Sequence, residues 1–293
     1  EPDVLIVDKA PQGVMLELDA TLKFLRTQGR TRCILGLHDA LDAPVAPQCD
    51  WNRSANEETI RNYYDAVWIY GDPTNTAYAY RFSHDIAAKI RYTGYLDRRS
   101  WIQYAAAKSI EAPLDLDLPP GELVLCMAGD GQDGADLATA FAQAEMPPET
   151  NGVILTGPLM TSEQRQRLHK FAAKHPRLQV LDDMTEPTLL LERADRVISM
   201  GGYDTTCEML SFKKRALIVP REPFQKEQQI QIEHWRRLGL LDLLQPQEVS
   251  LQTLTTWLTQ KRLTAKVHDS PGLNVLDRLP QLMEEILNQD PSG

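Results

Sequence analysis

Short runs of apolar residues recur along the chain, and each is followed by a turn signal and then by a segment with helical periodicity. This alternation is typical of an α/β protein in which helices cover a parallel sheet. Eight strands are predicted, at residues 4–7, 33–37, 66–70, 123–127, 152–155, 178–181, 196–199 and 215–219. Their distribution along the chain predicts two α/β units.

Three segments also carry apolar residues at helical spacing. The first is expected to end at Gly29 and to bury a face formed by Val14, Leu18, Leu22 and Leu25. The second is expected to start after Thr161 or Ser162 and to bury Leu168, Phe171 and Ala172. A closing amphipathic helix is predicted over residues 274–288, with an apolar face formed by Leu276, Leu279, Leu282, Met283, Ile286 and Leu287. That face must pack on another part of the protein.

Prolines interrupt this pattern between Gly94 and Gly121, where the segment EAPLDLDLPPG ends regular structure. We therefore expect a first domain over residues 1–95, a linker over 96–120, a second domain over 121–270 and a closing helix over 271–293. The closing helix is predicted to return toward the first domain. The first domain is short for a nucleotide-type α/β unit, and we expect it to be truncated at its N-terminus by about one or two strand–helix units.

The composition excludes some classes of protein. The 293 residues include 31 Lys plus Arg and 41 Asp plus Glu, and the net charge of −10 argues against nonspecific nucleic-acid binding. The apolar runs are much shorter than the roughly 20 residues of a membrane-spanning helix and no signal peptide is recognised, so we expect a cytoplasmic protein. The four cysteines lack the spacing of a zinc pair, and neither a metal nor a cofactor is predicted.

A glycine-rich turn follows the strand predicted at residues 123–127 and leads into a helix. Its glycines are Gly129, Gly131 and Gly134. Glycines let a backbone approach a phosphate, and a helix N-terminus offers unpaired N–H donors, although a tight turn that binds nothing has the same sequence. Asp130 and Asp133 would repel a diphosphate, so we expect them to face solvent or to cap the helix.

A second turn of this kind contains Gly201 and Gly202, and the helix after it is expected to be capped by Asp204 or Thr205. The N–H groups of Thr205, Thr206 and Cys207 would then point at an anion. Glu208, predicted in the first helical turn, either complements the helix dipole or accepts hydrogen bonds from the hydroxyls of a ribose. Two such turns in one half of the protein favour a nucleotide diphosphate ligand.

A third polar segment contains Glu227, Gln228 and Gln229 at the start of a predicted helix. Amide side chains both donate and accept hydrogen bonds, which suits sugar hydroxyls. Surface glutamines are also common in helices that bind nothing, so the composition alone leaves both interpretations open.

These segments occur in a recognisable order. The chain carries RYTGYLDR at residues 91–98 and, from residue 180 onward, VLDDM, RADR, GGYDTTCE, ALIVP and an E-Q-Q triplet. Their order and spacing resemble the linker and the donor-binding half of the GT-B glycosyltransferases of family 28, which include the peptidoglycan enzyme that makes lipid II. The segments VDKAPQG and MGGYDT are similar to those of uncharacterised predicted glycosyltransferases. The resemblance covers nearly the whole chain and is strongest between Tyr92 and Leu241.

The resemblance implies a GT-B architecture, in which two Rossmann-like domains face a cleft. It implies that the donor diphosphate is held by Gly129, Gly131, Gly134, Gly202, Thr205 and Thr206. It also implies that Glu208 binds the ribose, that the backbone of Leu181 meets the base, and that the sugar contacts Glu227, Gln228 and Gln229. Where the lipid II enzyme has an arginine just before its glycine turn, this chain has Met200. One charged contact is therefore missing, and the donor need not be the same.

The acceptor half is less complete. His38 and Asp39 are similar to a His-Glu pair that faces the cleft in the lipid II enzyme, and Asp8 and Lys9 also stand at a predicted strand end. The family's first glycine-rich loop, which carries a histidine often assigned as the general base, has no counterpart in this chain. The catalytic group is therefore unassigned, with His38, Asp39 and Asp8 as candidates.

The resemblance implies an enzyme that transfers a sugar from a nucleotide diphosphate donor, such as UDP-GlcNAc, to an unidentified hydroxyl acceptor, with inversion and without a metal. Two alternatives stay open. A nucleotide-sugar 2-epimerase or hydrolase would use the same fold and donor contacts. A non-catalytic nucleotide-sugar-binding subunit would need a partner to complete its site. Association with a membrane surface through the acceptor also stays open.

Overall fold

The computed structural model describes residues 2–38, 53–71, 73, 82–95, 99, 102, 116–182, 184, 187–221, 226–260 and 275–288. Two parallel sheets, of four and six strands, occur within these ranges. Contacts divide the chain into two compact units, which are Glu1–Asp97 with Pro271–Gly293, and Arg98–Ser270. The predicted α/β class with two parallel sheets is confirmed, and all eight predicted strands are present.

The first unit contains a four-stranded sheet in which the strands follow their order along the chain. The strands are β1 (Val4–Asp8), β2 (Arg32–His38), β3 (Ala66–Tyr70) and β4 (Ile90–Tyr92). The connecting helices are α1 (Asp19–Gln28), α2 (Arg53–Tyr63) and α3 (His84–Lys89). Strand β4 is not among the predicted strands, because its three residues include an exposed arginine and form too short an apolar run.

The start of α1 corrects one prediction. Val14 lies outside the helix and is 89% exposed, because a turn at Gly13 with a φ of +79° precedes the helix. Leu22 and Leu25 are buried as predicted, and the left-handed Gly29 ends the helix and donates its N–H to the Leu25 carbonyl at 3.0 Å. Apolar spacing therefore locates the buried part of α1 and its end, but it places the helix start too early.

Helix α10 (Val275–Leu287) packs on one face of the four-stranded sheet. Its Leu282 and Ile286 form a buried cluster with Ile34, Ala66 and Trp68. Helices α1, α2 and α3 cover the opposite face, where Leu22, Ile60 and Ile86 are fully buried. The sheet of the first unit is therefore covered on both sides, as a parallel sheet requires.

The second unit contains a six-stranded parallel sheet in the order β10-β9-β8-β5-β6-β7. The strands are β5 (Glu122–Met127), β6 (Thr150–Thr156), β7 (Leu178–Asp182), β8 (Arg196–Met200), β9 (Arg215–Val219) and β10 (Asp242–Leu243). The helices are α4 (Ala135–Gln143), α5 (Ser162–Ala172), α6 (Thr188–Arg193), α7 (Tyr203–Ser211), α8 (Lys226–Arg237) and α9 (Leu251–Thr259). A capping box formed by Thr161 and Gln164 starts α5 where the sequence predicts.

The strand order defines a topological switch point. From β5 the chain moves through β6 to β7 at one edge, and it then returns to β8 on the other side of β5. The carboxyl ends of β5 and β8 therefore stand side by side, with connections that leave in opposite directions. Open α/β sheets bind ligands in the crevice at this point.

The cysteines at positions 33, 126 and 207 are buried. Burial raises the pKa of Cys33 to about 11 and raises the pKa of Cys126 as well, so both remain neutral thiols at physiological pH. Cys49 lies outside the described residues. Among the helices that the structure describes, none is both long enough and apolar enough to cross a bilayer.

The packing of α10 is testable with two neighbouring residues, because Ile286 is 2% exposed and Leu287 is 48% exposed. Ile286→Ala should lower the free energy of unfolding by about 2–5 kcal/mol, since it opens a cavity against the sheet. Leu287→Ala should change it by about 0.5 kcal/mol or less. Urea unfolding of both variants measures the difference, and equal losses would contradict this packing.

Candidate functional site

The turn after β5 is packed backbone to backbone against the turn after β6. The N–H of Leu159 donates to the Asp130 carbonyl at 2.7 Å. Gly131 has a φ of +93°, and a Cβ there would lie 2.6 Å from the Met160 nitrogen. At Gly134 a Cβ would lie 2.2 Å from the carbonyl oxygen of Ala128. These two glycines are therefore required by the fold itself, whether or not the turn also binds an anion.

Two helices begin at the switch point without side-chain caps. The N-cap of α4 is Gly134 and the N-cap of α7 is Gly202, and neither helix has a side-chain hydrogen bond at its cap. The first N–H groups of a helix have no partner within the helix, and they carry the positive end of its dipole. The carboxyl ends of β5 and β8 thus present two sets of backbone donors to a negatively charged ligand.

The start of α7 corrects the prediction for Thr206. The predicted caps, Asp204 and Thr205, lie inside the helix, which begins at Tyr203. Thr206 donates both its N–H, at 3.0 Å, and its hydroxyl, at 2.7 Å, to the carbonyl of Gly202. Neither group can point at an anion. The N–H of Cys207, the fifth residue of the helix, likewise has its hydrogen-bond partner within the helix. The N–H donors that face outward belong instead to Tyr203, Asp204 and Thr205.

Glu208 is the sixth residue of α7 and therefore lies in the second turn, not in the first as predicted. Its side chain is 5% exposed, which is unusual for a carboxylate that only complements a helix dipole. Leu181, the predicted contact to the base, lies in β7 at the edge of the sheet, where part of a strand's backbone has no partner strand. The backbone of residues 227–229 lies in the first turn of α8, but the side chains of Glu227, Gln228 and Gln229 fall outside the described part of the structure.

Arg221, which the sequence analysis does not single out, reaches the glycine turn. It follows β9, and its Nη1 donates to Asp130 Oδ2 at 2.7 Å, while its Nε lies 4.0 Å from Asp133 Oδ2. The hydrogen bond from Arg221 lowers the pKa of Asp130, and the N–H of Gln132 adds to this effect. The two aspartates therefore face a guanidinium and are each about one third exposed. Of the two positions expected for them, facing solvent or capping the helix, the cap of α4 is not formed.

Beside the turn lies a cavity of about 360 Å³. It is lined by Asp133, Asp136, Leu137, Met200, Val219, Pro220, Pro246, Gln247 and Val249. Its charged groups are both carboxylates, and both lie within two residues of Gly134 at the start of α4.

In the first unit, three titratable side chains meet at the carboxyl edge of the sheet. Asp8 ends β1, His38 ends β2 and Tyr70 ends β3. The rings of His38 and Tyr70 are 5.9 Å apart, and the Tyr70 hydroxyl lies over Gly36, where a Cβ would come within 2.1 Å of it. Gly36 pairs with Asp8 across β1 and β2, so the Tyr70 hydroxyl over Gly36 lies on the side of the Asp8 carboxylate.

Burial and the nearby charge of Asp8 raise the pKa of Tyr70. Tyr70 is not among the predicted site residues, although its position at a strand end is the same signal that marks Asp8 and His38. Lys9, with a φ of +65°, continues β1 by donating its N–H to the Gly36 carbonyl at 2.8 Å. Asp39 lies outside the described residues.

Comparison with known proteins establishes the fold. The chain is 13% identical to CalG4, the calicheamicin glycosyltransferase, with a TM-score of 0.59 over 98% of this chain and 74% of that one. It is 15% identical to the UDP-GlcNAc 2-epimerase of Neisseria meningitidis bound to UDP-GlcNAc, with a TM-score of 0.59 over 100% of this chain and 72% of that one. It is 13% identical to S. aureus MnaA in complex with UDP, with a TM-score of 0.65 over 98% of this chain and 76% of that one.

The protein therefore has the fold of the GT-B glycosyltransferases, which UDP-GlcNAc 2-epimerases share. No family model matches the sequence. No curated protein matches it either.

The structural requirement for Gly131 is testable against Gly239, which has a φ of +72° and nothing within 4 Å of a built Cβ. Gly239→Ala should lower the free energy of unfolding by about 1–2 kcal/mol, because alanine is strained in the left-handed backbone. Gly131→Ala should cost about 2–5 kcal/mol, because the clash with the Met160 backbone adds to that strain. Chemical denaturation of the two variants measures both losses, and equal costs would show that the two turns are not in contact.

Proposed function

We propose that this protein transfers a sugar from a UDP-linked donor to a hydroxyl acceptor, as an inverting glycosyltransferase of the family 28 type. The observation that carries the proposal is the pair of uncapped helix N-termini at the switch point, with the buried Glu208 on one of the two helices. Proteins of the same fold include the calicheamicin glycosyltransferase and proteins bound to UDP or UDP-GlcNAc.

In this proposal the diphosphate lies against the backbone of the two turns, at Gly129, Gly131, Gly134, Gly202 and Thr205. Glu208 accepts hydrogen bonds from the ribose hydroxyls, and the edge backbone at Leu181 meets the base. Glu227, Gln228 and Gln229 hold the sugar. The departing diphosphate gains negative charge as its bond to the sugar breaks, and N–H donors fixed by the fold stabilise that charge without reorganisation.

The first unit supplies the acceptor side in this proposal. A base removes the proton from the acceptor hydroxyl while the oxygen forms its bond to the anomeric carbon from the face opposite the leaving diphosphate, which inverts that centre. Asp8 and His38 are the candidate bases, because both stand at the carboxyl edge of the sheet. We also expect a cytoplasmic location.

A nucleotide-sugar 2-epimerase is the second candidate, and the similarity to the N. meningitidis enzyme favours it. The two activities differ in what they consume. Incubation with UDP-GlcNAc and no acceptor should leave a transferase substrate essentially unchanged, whereas an epimerase would produce the C2 epimer and a hydrolase would release UDP. A nucleotide-binding subunit without catalytic activity would do none of these, with or without acceptor.

The donor site predicts stabilisation by UDP that depends on Glu208. At about 100 times its Kd, UDP should raise the free energy of unfolding by about 2.7 kcal/mol. Glu208→Gln, which preserves the volume of the buried side chain, should abolish most of this gain, while the exposed control Glu192→Gln should retain it. Thermal denaturation with and without UDP measures the effect. Equal stabilisation of all three proteins would exclude Glu208 from the ribose site.

The acceptor side predicts that Asp8→Asn or His38→Gln lowers kcat of transfer by about 100- to 10,000-fold, the usual contribution of a general base. UDP binding should not change, because both residues belong to the first unit. Single-turnover transfer and UDP titration separate the two effects. If both variants keep full activity, the base lies elsewhere.

A further inference from the structure

Arg221 lies close to both helix N-termini at the switch point. It follows β9, and β8 lies between β9 and β5 in the sheet, yet its guanidinium contacts the turn after β5. A Cβ on Gly129 would lie 2.6 Å from Arg221 Nη2 and 3.4 Å from the Cβ of Met200, the last residue of β8. The guanidinium therefore stands at the adjoining ends of β5 and β8, where the two helices begin.

The charges around this position do not suit a diphosphate as they stand. Asp130 and Asp133 carry two negative charges and Arg221 carries one positive charge. The lowered pKa of Asp130 keeps its carboxylate ionised at neutral pH, so these three groups together carry −1. Asp136, in the first turn of α4, adds a further carboxylate. An incoming diphosphate would be repelled unless Arg221 turned from the carboxylate to the phosphate.

The ion pair between Arg221 and Asp130 is weak enough for Arg221 to exchange the carboxylate for a phosphate. Its side chain is 33% exposed and that of Asp130 is 35% exposed, and solvent screening makes such an ion pair weak. A guanidinium has five N–H donors, and within the described residues only Asp130 accepts a hydrogen bond from this one. Phosphate oxygens accept two parallel hydrogen bonds from arginine, so a diphosphate can displace a carboxylate that is held by one.

We propose that Arg221 is the cation of the donor-diphosphate site, and that Asp130 holds it at the turn until a diphosphate displaces the carboxylate. This assignment rests on the proposed function, because it names a further residue of the same donor site. Arg221 acts by direct contact with the diphosphate, and Asp130 acts on binding only through Arg221.

The assignment separates ligands that contain a diphosphate from ligands that do not. Uridine, UDP and inorganic pyrophosphate are titrated calorimetrically into the parent protein, Arg221→Gln and Arg221→Lys. Arg237→Gln is the matched control, because Arg237 is 75% exposed at the end of α8 in the same unit. Thermal denaturation without ligand verifies that each variant is folded.

Arg221→Gln should weaken UDP and pyrophosphate by about 10- to 100-fold and leave the affinity for uridine unchanged. The affinity of Arg221→Lys for UDP and pyrophosphate should lie between those of the parent and Arg221→Gln, because an ammonium keeps the charge but not the paired donors. Arg237→Gln should bind all ligands like the parent. Unchanged UDP and pyrophosphate affinity in a folded Arg221→Gln would overturn the assignment, and so would an equal loss for uridine, which would indicate a structural effect.

The role of Asp130 is tested by a double-mutant cycle. Asp130→Asn removes the competing carboxylate and should tighten UDP binding several-fold. In the Arg221→Gln background the same change should give a much smaller gain, because no guanidinium remains to be released. Equal gains in both backgrounds would show that Asp130 acts by direct repulsion and would overturn the exchange.

The outcomes distinguish this assignment from the proposed function. If the parent binds UDP and Arg221→Gln binds it equally well, only the role of Arg221 is wrong. If pyrophosphate binds through Arg221 but uridine and UDP show no nucleoside contribution, the anion site is supported and the UDP-sugar function fails. If the parent binds none of the three ligands, both are wrong.

Discussion

The geometry of the second unit depends on one steric constraint: two turns meet so closely that only backbone atoms fit between them. The turn after β5 and the turn after β6 are joined by the hydrogen bond from Leu159 to Asp130, and Gly131 fits only because it has no Cβ. This contact fixes where α4 begins, and it also holds the Asp130 side chain within reach of Arg221. A change at the turn would therefore move a helix N-terminus and an ion pair together.

Electrostatics explains why an anion site would contain two aspartates. Each helix N-terminus carries roughly half a positive charge. A guanidinium beside these helix ends would be repelled by them in the absence of ligand. Asp130 and Asp133 offset that repulsion in the free protein. In the proposed site, a diphosphate would take over this role from the carboxylates, since an ion pair about one third exposed is weak.

The sequence predicts what depends on neighbouring residues along the chain and misses what depends on neighbours in space. The eight predicted strands are apolar runs that local pattern locates to within a residue or two at each end, whereas β4 and β10 have three and two residues and no such run. Helix α7 begins earlier than predicted, because Gly202 serves as its N-cap instead of a polar side chain.

The charge near the two glycine turns shows the same limit. The sequence indicates that Met200 stands where the lipid II enzyme, which the chain resembles, has an arginine. It does not indicate that Arg221, which is 91 residues from its partner Asp130, brings a guanidinium to the same strand ends. Strand order is what joins the two positions, because β8 and β9 are adjacent and their carboxyl ends lie at one edge.

In the proposed function, the chemistry that separates a transferase from an epimerase belongs to the first unit. A departing diphosphate needs the same stabilisation whatever happens to the sugar, so the second unit serves either reaction. Transfer needs one base for the acceptor hydroxyl, whereas inversion at C2 without an acceptor needs a proton removed on one face and returned on the other. Burial and the charge of Asp8 keep the Tyr70 phenol protonated at neutral pH, so Tyr70 can donate a proton but cannot accept one. Asp8 and His38 then remain the candidate bases of this cluster. A protonated phenol beside a base suits either reaction, and whether an acceptor hydroxyl reaches that base decides between them.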